Sequence, residues 1–433
     1  MIFVDIMGDF GDQLFQYATA KSLAIDKNSD FLMNLEDYNR EDAQNVDHVD
    51  FKLNHFNIDF NKQFRESELN NYTDIKKVIE PLSTDNFAKF VNLNDYSGNI
   101  YLKGYWQNEN YFKHNKLNIL EDLKVITPPN NKNKKMLDEI NNYNSVCLSF
   151  RRRECSDPYF VAQFGICTEE YYKNAINFIS KRVSNPTFFI FSDDIEWIED
   201  NVKLDFPTIP VNFNGVGYEH EELRLMYSCK HFILANNSFS WWGAWLSNNK
   251  GKNVFAPNPW FNSYTKQSIL CPEWIHLKCD RSDLFNKSNS KIYELVDEND
   301  LKLLDFKGME KTIGEFGISL KMINNNSCLK FSNETSYDKN DSHKELIIEL
   351  KLFSKNQGLI KIDYSTGRNI VLGYRKGGSV KYLHLMDIDL NKLKFNISDT
   401  SLIIENITIK SADSDFDLKL AKNIGVDYGK KNR

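Results

Sequence analysis

The first residues of the chain follow an order of hydrophobic and polar positions typical of a strand, a turn and a helix. Residues 1–6 are almost continuously apolar and predict a short buried strand. A glycine turn follows from Gly8 to Gly11, and apolar residues then recur at roughly helical spacing from Gln13 to Ala24. This order favours a nucleotide-binding α/β layout. Residues 26–100 are polar and rich in Asn and Asp, and they predict little beyond loops and short helices.

The middle of the chain begins with a run that predicts a linker. Residues 127–135 contain two adjacent prolines and then a polar stretch that cannot build a core. Beyond it, apolar runs predict strands at 145–150, 187–191, 231–235 and 253–256, and helices at 169–179, 221–228 and 241–246. Strands that alternate with helices predict a parallel sheet, so we expect two α/β lobes with a ligand cleft at the strand C-termini.

After residue 280 the apolar positions change to a period of two. The alternating segments are 345–353, 359–364, 380–385 and 402–409, with glycine-containing breaks between them. This pattern predicts an antiparallel β-sandwich-like domain. The tyrosines Tyr364, Tyr374 and Tyr382 are expected to pack in its core or across strands, with stacking on sugar rings as the alternative. The predicted domains are therefore an N-terminal α/β lobe at 1–130, a second α/β lobe at 131–285 and a β-rich domain at 286–433.

Composition agrees with several globular domains. A chain of 433 residues is longer than a single hydrophobic core normally serves. The composition, with 41% hydrophobic and 26% charged residues, argues against disorder. The net charge of −6 provides no global positive field for nucleic acid. The seven cysteines form no C-x-x-C pair, which favours reduced thiols over a disulfide framework or a zinc site. No signal peptide or membrane span is indicated, so we expect a cytoplasmic protein whose membrane contact, if any, is peripheral.

The glycine turn is the first candidate site. Gly8 and Gly11 would let backbone N–H groups approach a phosphate or a sugar, next to the N-terminus of the helix that includes Gln13. The structural alternative is a tight turn in which Asp12 caps the helix.

A basic cluster follows the predicted strand at 145–150. Arg151, Arg152 and Arg153, with Glu154 next to them, would offer guanidinium groups to a diphosphate and stabilise charge on a leaving phosphate. The alternative is a solvated basic loop. Beside these arginines the pKa of Glu154 should be depressed, which favours Asp12 over Glu154 as the catalytic base.

Two further clusters precede predicted helices. Asp193 and Asp194 follow the strand at 187–191 and would accept hydrogen bonds from ribose or a guanine edge, with capping by Ser192 or Asp193 as an equal alternative. Before the helix at 241–246, small donors would face an anionic diphosphate; these residues are Asn237, Ser238, Phe239 and Ser240. The tryptophans at 241, 242 and 245 are expected to pack the helix onto the sheet.

These clusters belong to a series of ordered motifs. They read Gly-Asp-Phe-Gly-Asp-Gln-Leu-Phe-Gln-Tyr-Ala from Gly8, Phe-Arg-Arg from Phe150, Phe-Ser-Asp-Asp-Ile-Glu-Trp from Phe191, and Asn-Ser-Phe-Ser-Trp-Trp-Gly-Ala-Trp-Leu from Asn237. Stretches at 103–107, 111–112, 226–231 and 256–261 complete the series. Over roughly residues 1–280 the chain resembles the bacterial α-1,2-fucosyltransferase family, of the glycosyltransferase family 11 type.

The resemblance implies an inverting, metal-independent enzyme with two Rossmann-like lobes of the GT-B type. Its sugar donor would be GDP-fucose, and its acceptor O2 of a galactose in an oligosaccharide or a lipid-linked surface glycan, such as an O-antigen repeat, at the inner membrane face. It assigns the acceptor side to the lobe at 1–130 and GDP-sugar binding to the lobe at 131–285, carries diphosphate binding over to Arg151 and Arg152, and implies no cofactor. The candidate catalytic residues are Arg151, which would stabilise the leaving phosphate, and Asp12, whose role as base rests on its place in the glycine turn. The family's motifs usually carry other residues at five positions, which here are Asp9, Asp12, Ser149, Arg153 and Glu154.

Two alternatives remain open from the sequence. One is a glycosyltransferase that uses another nucleotide sugar, because no residue pattern reports on the sugar pocket. The other is an inactive glycan-binding protein, which the substituted motifs suggest.

Overall fold

The chain builds two parallel sheets followed by two antiparallel sheets. The computed structural model describes residues 1–38, 51–80, 90–152, 157–262, 269–287, 291–314, 317–331, 345–386, 388, 390–411 and 418–419. The mixed α/β class with a β-rich C-terminal region is confirmed.

The first sheet is parallel, with the strand order β3-β2-β1-β5-β4. Its elements are β1 (Ile2–Asp5), α1 (Phe10–Asp26), β2 (Phe31–Asn34), β3 (Gln63–Phe64), β4 (Ile75–Ile79), β5 (Asn99–Lys103) and α2 (Lys116–Asp122). The predicted first strand and helix are confirmed. The helix begins earlier than predicted because Asp9, in an extended conformation, is its N-cap and its carbonyl accepts from the backbone N–H of Asp12 and Gln13.

The prediction of loops and short helices across 26–100 is wrong, since three of the five strands lie there and β5 begins at its end. The edge strand β4 shows why the pattern was weak. Lys76, Lys77 and Ile79 are exposed, and Val78 is its buried residue. An edge strand with one covered face does not need a continuous apolar run.

The second sheet is also parallel, in the order β12-β11-β10-β6-β7-β9. Its strands are β6 (Asn144–Phe150), β7 (Pro186–Ser192), β9 (Thr208–Pro210), β10 (His231–Ile233), β11 (Val254–Asn258) and β12 (Ile275–Lys278), with the short β8 (Val202–Lys203) outside it. The helices of this unit are α3 (Asn131–Asn142), α4 (Pro158–Phe164), α5 (Glu169–Ser180), α6 (Ile195–Asn201), α7 (Glu219–Ser228) and α8 (Ser238–Leu246).

The predicted linker at 127–135 is wrong in its second half, which is the start of α3. The Asn130 side chain caps this helix by accepting from the Asn133 N–H. Most of α3 is polar because few of its residues, such as Ile140, are buried. The two prolines precede the cap, where they do not interrupt helical hydrogen bonds.

One hydrophobic core joins the two parallel-sheet units. The ring of Phe15 in α1 lies 4.6 Å from that of Trp241 and 4.9 Å from that of Trp242, both in α8. Trp241, Trp242 and Trp245 are all buried, which confirms that they pack the helix. The packing fixes α1 against α8, and their N-terminal ends lie at the cleft described below.

The C-terminal region forms two antiparallel sheets around a shared core. One sheet contains β13 (Lys291–Glu294), β15 (Met309–Gly314), β16 (Gly317–Met322), β18 (Leu346–Ser354), β21 (Gly377–Leu385) and β23 (Ile403–Ser411). The other has the order β14-β17-β22-β19-β20. Its strands are β14 (Leu304–Lys307), β17 (Ser327–Phe331), β19 (Gly358–Ser365), β20 (Arg368–Tyr374) and β22 (Lys394–Ile397). The predicted antiparallel strands are confirmed, and Tyr364 and Tyr374 are buried in the core.

The C-terminal sheets also contact the second unit. Ala162 of α4 belongs to their core, and the last described strand, β24 (Leu418–Lys419), pairs with β8. Two short helices, α9 (Ser282–Lys287) and α10 (Glu298–Leu301), connect these regions. The six cysteines within the described ranges form no disulfide with one another. Among the helices that the structure describes, none is both long and apolar enough to span a bilayer.

Candidate active site

A cleft of about 640 Å³ lies between the two parallel-sheet units. The first unit contributes the turn Asp9–Gly11 together with Lys52. The second contributes the ends of β6 and β7, part of α7 and the start of α8. The sequence-predicted residues that line it are Gly11, Arg151, Asp193, Asn237, Ser238 and Phe239.

The glycine turn is fixed from both sides. Gly8 has a φ of 77°, a left-handed conformation that favours glycine. Its carbonyl accepts from the Tyr38 hydroxyl at 2.9 Å and from Gln13 Nε2 at 3.2 Å. The Gln13 Oε1 atom accepts from the Lys52 N–H, and the side chain is fully buried. Gly8 and Gln13 therefore shape the turn and do not line the cleft.

Gly11 is the point of closest approach between α1 and α8. Its carbonyl accepts from the Trp242 indole Nε1 at 2.9 Å. A Cβ atom at this position would lie 2.9 Å from the backbone carbonyl carbon of Ser238. Glycine is needed here because the backbone of α8 occupies the space of a side chain.

Asp12 follows the lining residue Gly11 in α1, is partly buried and is not itself part of the cleft lining. Burial raises the pKa of Asp12 to about 7, and the charge of Asp9 acts in the same direction. A hydrogen bond from Gln107 Nε2 at 2.7 Å and the charge of Arg151 oppose the rise. A carboxyl group that titrates near neutral pH is suited to general base catalysis.

Arg151 extends into the cleft from the end of β6. Its Nη1 donates to the Asn236 carbonyl at 3.3 Å, and its guanidinium lies 4.2 Å from the ring centre of Phe160 in α4. These contacts hold one face of the guanidinium and orient the group. A preorganised guanidinium can stabilise a phosphate without moving during the reaction.

Arg152 is directed away from the cleft lining. Its guanidinium lies 3.8 Å from the ring centre of Trp197, and its N–H donates to Asp193 Oδ1 at 2.7 Å. The carboxylate of Asp194 accepts from the Trp197 N–H and caps α6, so helix capping, which the sequence allowed for Ser192 or Asp193, falls to Asp194. Of the two aspartates, Asp193 is the one that lines the cleft.

The start of α8 faces the cleft through three residues. Asn237, Ser238 and Phe239 line it, and the Asn237 side chain caps the helix by accepting from the Ser240 N–H at 2.7 Å. Ser240 itself is fully buried, and its hydroxyl donates to the Ala235 carbonyl at 2.9 Å. The expectation that the Ser240 hydroxyl meets a ligand is wrong, because that hydroxyl satisfies a backbone carbonyl.

Several lining residues had no assigned role from the sequence; they are Lys52, Asn214, Glu219, Glu222 and Met226. Burial raises the pKa of Glu222 to about 7, with the charges of Glu219 and Asp193 adding to the rise. Glu219 also forms an ion pair with Lys52 across the cleft at 3.2 Å. A charged residue in an amphipathic helix is normally assigned to solvent, so the pattern of α7 carried no signal for Glu222.

The substituted motif positions are partly outside the described residues. Arg153 and Glu154 lie in the range 153–156, which the structure does not describe. Ser149 lines the cleft at the end of β6. Asp9 lines it at the start of α1, where it raises the pKa of Asp12.

Comparison with known proteins adds independent findings. A model of the family described as glycosyl transferase family 11 matches residues 1–278. The alpha-1,2-colitosyltransferase of Escherichia coli is 32% identical over 291 residues, covering 63% of this chain and 97% of that protein. The O-antigen biosynthesis glycosyltransferase WbnK of Escherichia coli is 29% identical over 302 residues, covering 63% and 99%. The galactoside alpha-(1,2)-fucosyltransferase 2 of Rattus norvegicus is 24% identical over 121 residues, covering 26% and 34%.

Proposed function

The chain belongs to glycosyl transferase family 11 and is a glycosyltransferase, and we propose that it transfers fucose from GDP-fucose to O2 of a galactose in a bacterial surface glycan. The observation that carries the proposal is the cleft between the two parallel-sheet units. It brings together the glycine turn, a fixed arginine and the N-terminal end of α8. These are groups that bind a diphosphate at one wall and leave the opposite wall for an acceptor.

The leaving diphosphate is assigned to Arg151 and the start of α8. In an inverting transfer the acceptor oxygen attacks the anomeric carbon, the bond to the diphosphate breaks, and negative charge grows on the leaving phosphate. Arg151, the Ser238 hydroxyl and the α8 N–H groups would stabilise that charge. We propose that this occurs without a metal ion, as the family resemblance implies.

Asp12 is the proposed base for the acceptor hydroxyl. Its pKa of about 7 leaves a substantial ionised fraction at neutral pH together with enough basicity to accept a proton. The positive charge of Arg151 lowers the pKa of Asp12. The proposed base is therefore coupled electrostatically to the group that would stabilise the leaving phosphate.

Asp193 is the proposed contact for the nucleoside. It lies at the end of β7, accepts from the Arg152 N–H and lines the cleft. Glu222 lies near enough for the charge of Asp193 to raise its pKa. Two neighbouring carboxyl groups suit the N1–H and N2–H₂ edge of guanine or the hydroxyls of ribose.

A second candidate keeps the same chemistry with a different sugar. The relative named alpha-1,2-colitosyltransferase is 32% identical to this chain, which favours a nucleotide-linked colitose as an alternative donor. Colitose lacks a ring hydroxyl that fucose carries. A pocket that hydrogen-bonds this hydroxyl discriminates strongly, whereas an apolar pocket discriminates weakly.

The setting of the reaction is proposed from the relatives. One of them is named for O-antigen biosynthesis, which supports a lipid-linked repeat at the inner membrane face as the acceptor. We also propose that the two parallel-sheet units correspond to the two lobes of a GT-B enzyme, because each carries a parallel sheet and the cleft lies between them.

The test is transfer by the full-length protein from GDP-fucose and from GDP-colitose to a panel of β-galactosides, with linkage and anomeric configuration determined by NMR. We expect an α-1,2 fucosyl product whose formation is unaffected by EDTA. Arg151→Ala should lower kcat by roughly 10²–10³, the usual loss for one transition-state donor. The matched control is Arg182→Ala, because Arg182 also lies over a phenylalanine ring, Phe178, but outside the cleft lining.

Each outcome has a defined meaning. Wild-type turnover by the Arg151→Ala variant would overturn the sugar-donor site. Transfer from GDP-colitose alone would replace fucose by colitose and leave the site intact. Loss of activity in EDTA that Mg²⁺ restores would overturn metal independence.

A further inference from the structure

The outer face of the second antiparallel sheet forms a groove. The order β14-β17-β22-β19-β20 places β22 at the centre of this sheet. Alternate residues point to the shared core, and the others line a groove of about 910 Å³. That volume lies within the roughly 300–1,000 Å³ typical of ligand clefts.

The register of the strands arranges the outward residues in two rows across the sheet. One row reads Asp305, Lys330, Lys394 and Asp363 over β14, β17, β22 and β19. The other row reads Lys307, Cys328, Asn396 and Lys361 over the same strands. Each row therefore carries two lysines: Lys330 and Lys394 lie on neighbouring strands, whereas Lys307 and Lys361 lie at the two ends of their row.

The lysines outnumber the carboxylates in the groove and converge on its centre. Lys330 pairs with Asp305 at 3.2 Å and Lys361 with Asp363 at 3.7 Å. Burial raises the pKa of the central Cys328 thiol, and the charges of Lys394, Lys330 and Lys307 oppose that rise. Three ammonium groups thus act on one point of the groove.

Lys307 and Lys394 make no ion pair with any residue that the structure describes, although both face the groove. The two remaining lysines share their charge with aspartates. The groove therefore has positive charge in excess, together with carboxylate oxygens that can accept hydrogen bonds.

The groove offers hydrogen bonding rather than ring stacking. Tyr364 and Tyr374 point into the core, and Phe306, the aromatic residue of the described lining, packs against that core. The amide of Asn396 lies at the centre and donates to Asp363 Oδ2 at 2.8 Å. Ligands that bind through stacked bases or sugar faces would find no flat ring here.

We propose that this groove binds an anionic saccharide, whose carboxylate or phosphate groups contact Lys307, Lys330 and Lys394 and whose hydroxyls donate to Asp305. The proposal rests on the proposed function only in taking a glycan as the ligand. A nucleic acid fits less well, because Asp305 and Asp363 would repel its phosphates and no ring would stack on its bases. The groove would bind an acidic segment of the acceptor chain at a site separate from the active-site cleft.

The experiment measures binding directly by titration calorimetry with the full-length protein and no sugar donor. The probes are hexagalacturonate, mannopentaose phosphate and the neutral maltohexaose. We expect the anionic probes to bind with an affinity that falls with added salt. The variant Lys330→Gln/Lys394→Gln should bind about tenfold or more weakly, as expected for lost charge-assisted hydrogen bonds.

The matched control is Lys321→Gln/Lys351→Gln, which removes two lysines from the other sheet of the same region. It should bind as the wild type does. Circular dichroism and thermal unfolding show whether both variants are folded. Equal loss in both variants, no binding of the anionic saccharides, or tighter binding of a single-stranded RNA or of anionic vesicles would overturn the proposal. Fucosyl transfer to a short free galactoside should be unchanged in Lys330→Gln/Lys394→Gln, so the outcome is independent of the active-site assignment.

Discussion

At the scale of single residues, Asp12 is controlled by two neighbours with opposite effects. Gln107 donates a hydrogen bond to its carboxylate and lowers its pKa, whereas the charge of Asp9 raises it. Burial is the largest effect; it acts in the same direction as Asp9, and the pKa is about 7. Sequence patterns assign Gln107 no role beyond its place in a motif, because its contact with Asp12 spans 95 positions along the chain.

The pH dependence of turnover should report on this arrangement. A base must be ionised, so kcat/KM should fall as the pH drops below about 7 in the wild-type protein. Gln107→Met removes the hydrogen bond and should shift this fall in kcat/KM, the acid limb of the pH profile, to higher pH. Asp9→Asn should shift the acid limb to lower pH. Asp12→Asn should abolish the acid limb and lower turnover by a factor of roughly 10²–10⁴. Identical limbs in all the variants would show that another group is the base.

Asp12→Asn should also change stability. The folded pKa of about 7 exceeds the ordinary aspartate pKa of 3.8, so the folded state binds more protons between these values and stability falls as the pH rises through them. Asparagine does not titrate, so the variant should have a higher Tm than the wild type at pH 8. A lower Tm at that pH would mean that the carboxylate stabilises the fold.

At the scale of elements, the contact between α1 and α8 sets the shape of the cleft. The Gly11 carbonyl and the Trp242 indole join the two helices, and rings from both pack behind them. A Cβ added at Gly11 would meet the Ser238 side chain first and the Ser238 carbonyl carbon at 2.9 Å, so rotation of the Ser238 hydroxyl alone would not relieve the clash. Position 11 therefore controls where the start of α8 lies.

Gly11→Ala should disturb this contact and displace Asn237–Phe239 from the cleft wall. Overpacking of this kind typically costs about 1–3 kcal/mol, and we expect kcat/KM to fall at least tenfold with a measurable loss of Tm. Gly251→Ala is the control, because a Cβ there meets only the Asn249 side chain at 3.8 Å. Wild-type kcat/KM in Gly11→Ala would show that α8 can move without loss of function.

At the scale of the whole molecule, contacts between distant regions hold the cleft together. The C-terminal sheets pack on α4, and Phe160 of α4 lies under Arg151. On another side, the rings of His55 and His220 are stacked with centres 3.5 Å apart and planes 6° apart, between the first unit and α7. Lys52 and Glu219 form an ion pair beside this stack.

The histidine contact should make the molecule sensitive to acid. Burial, together with the charge of His55, lowers the pKa of His220 to about 4. The ordinary pKa is 6.5, so the unfolded state binds more protons between pH 6.5 and 4, and stability is lost as the pH falls through that window.

His220→Phe keeps a stacked ring but cannot become charged. Its Tm should therefore fall less than that of the wild type between pH 7 and pH 5, by about 2–4 °C for each kcal/mol of stability retained. His276→Gln, outside the contact, should behave as the wild type does. An unchanged pH dependence in His220→Phe would remove the histidine stack as the cause.

Much of the fold and family followed from the sequence alone. Continuous apolar runs predicted the strands β6, β7, β10 and β11 because both faces of a central parallel strand are buried. Alternation predicted the antiparallel strands because one face of each meets the shared core. The motifs identified the family because they record which residue types lie at strand ends and helix starts.

Only the tertiary structure decided which of these residues face the cleft. Ser240, Gln13 and Asp194 lie in the predicted clusters, yet their side chains bond backbone groups of the protein. Glu222 faces the cleft from a helix whose pattern carries no sign of it. The physical reason is that the pattern of hydrophobic and polar positions indicates only which residues are buried at regular spacing along a helix or a strand. The direction of a side chain at a strand end, and the pKa of a carboxyl group there, depend on neighbours that folding brings from far along the chain.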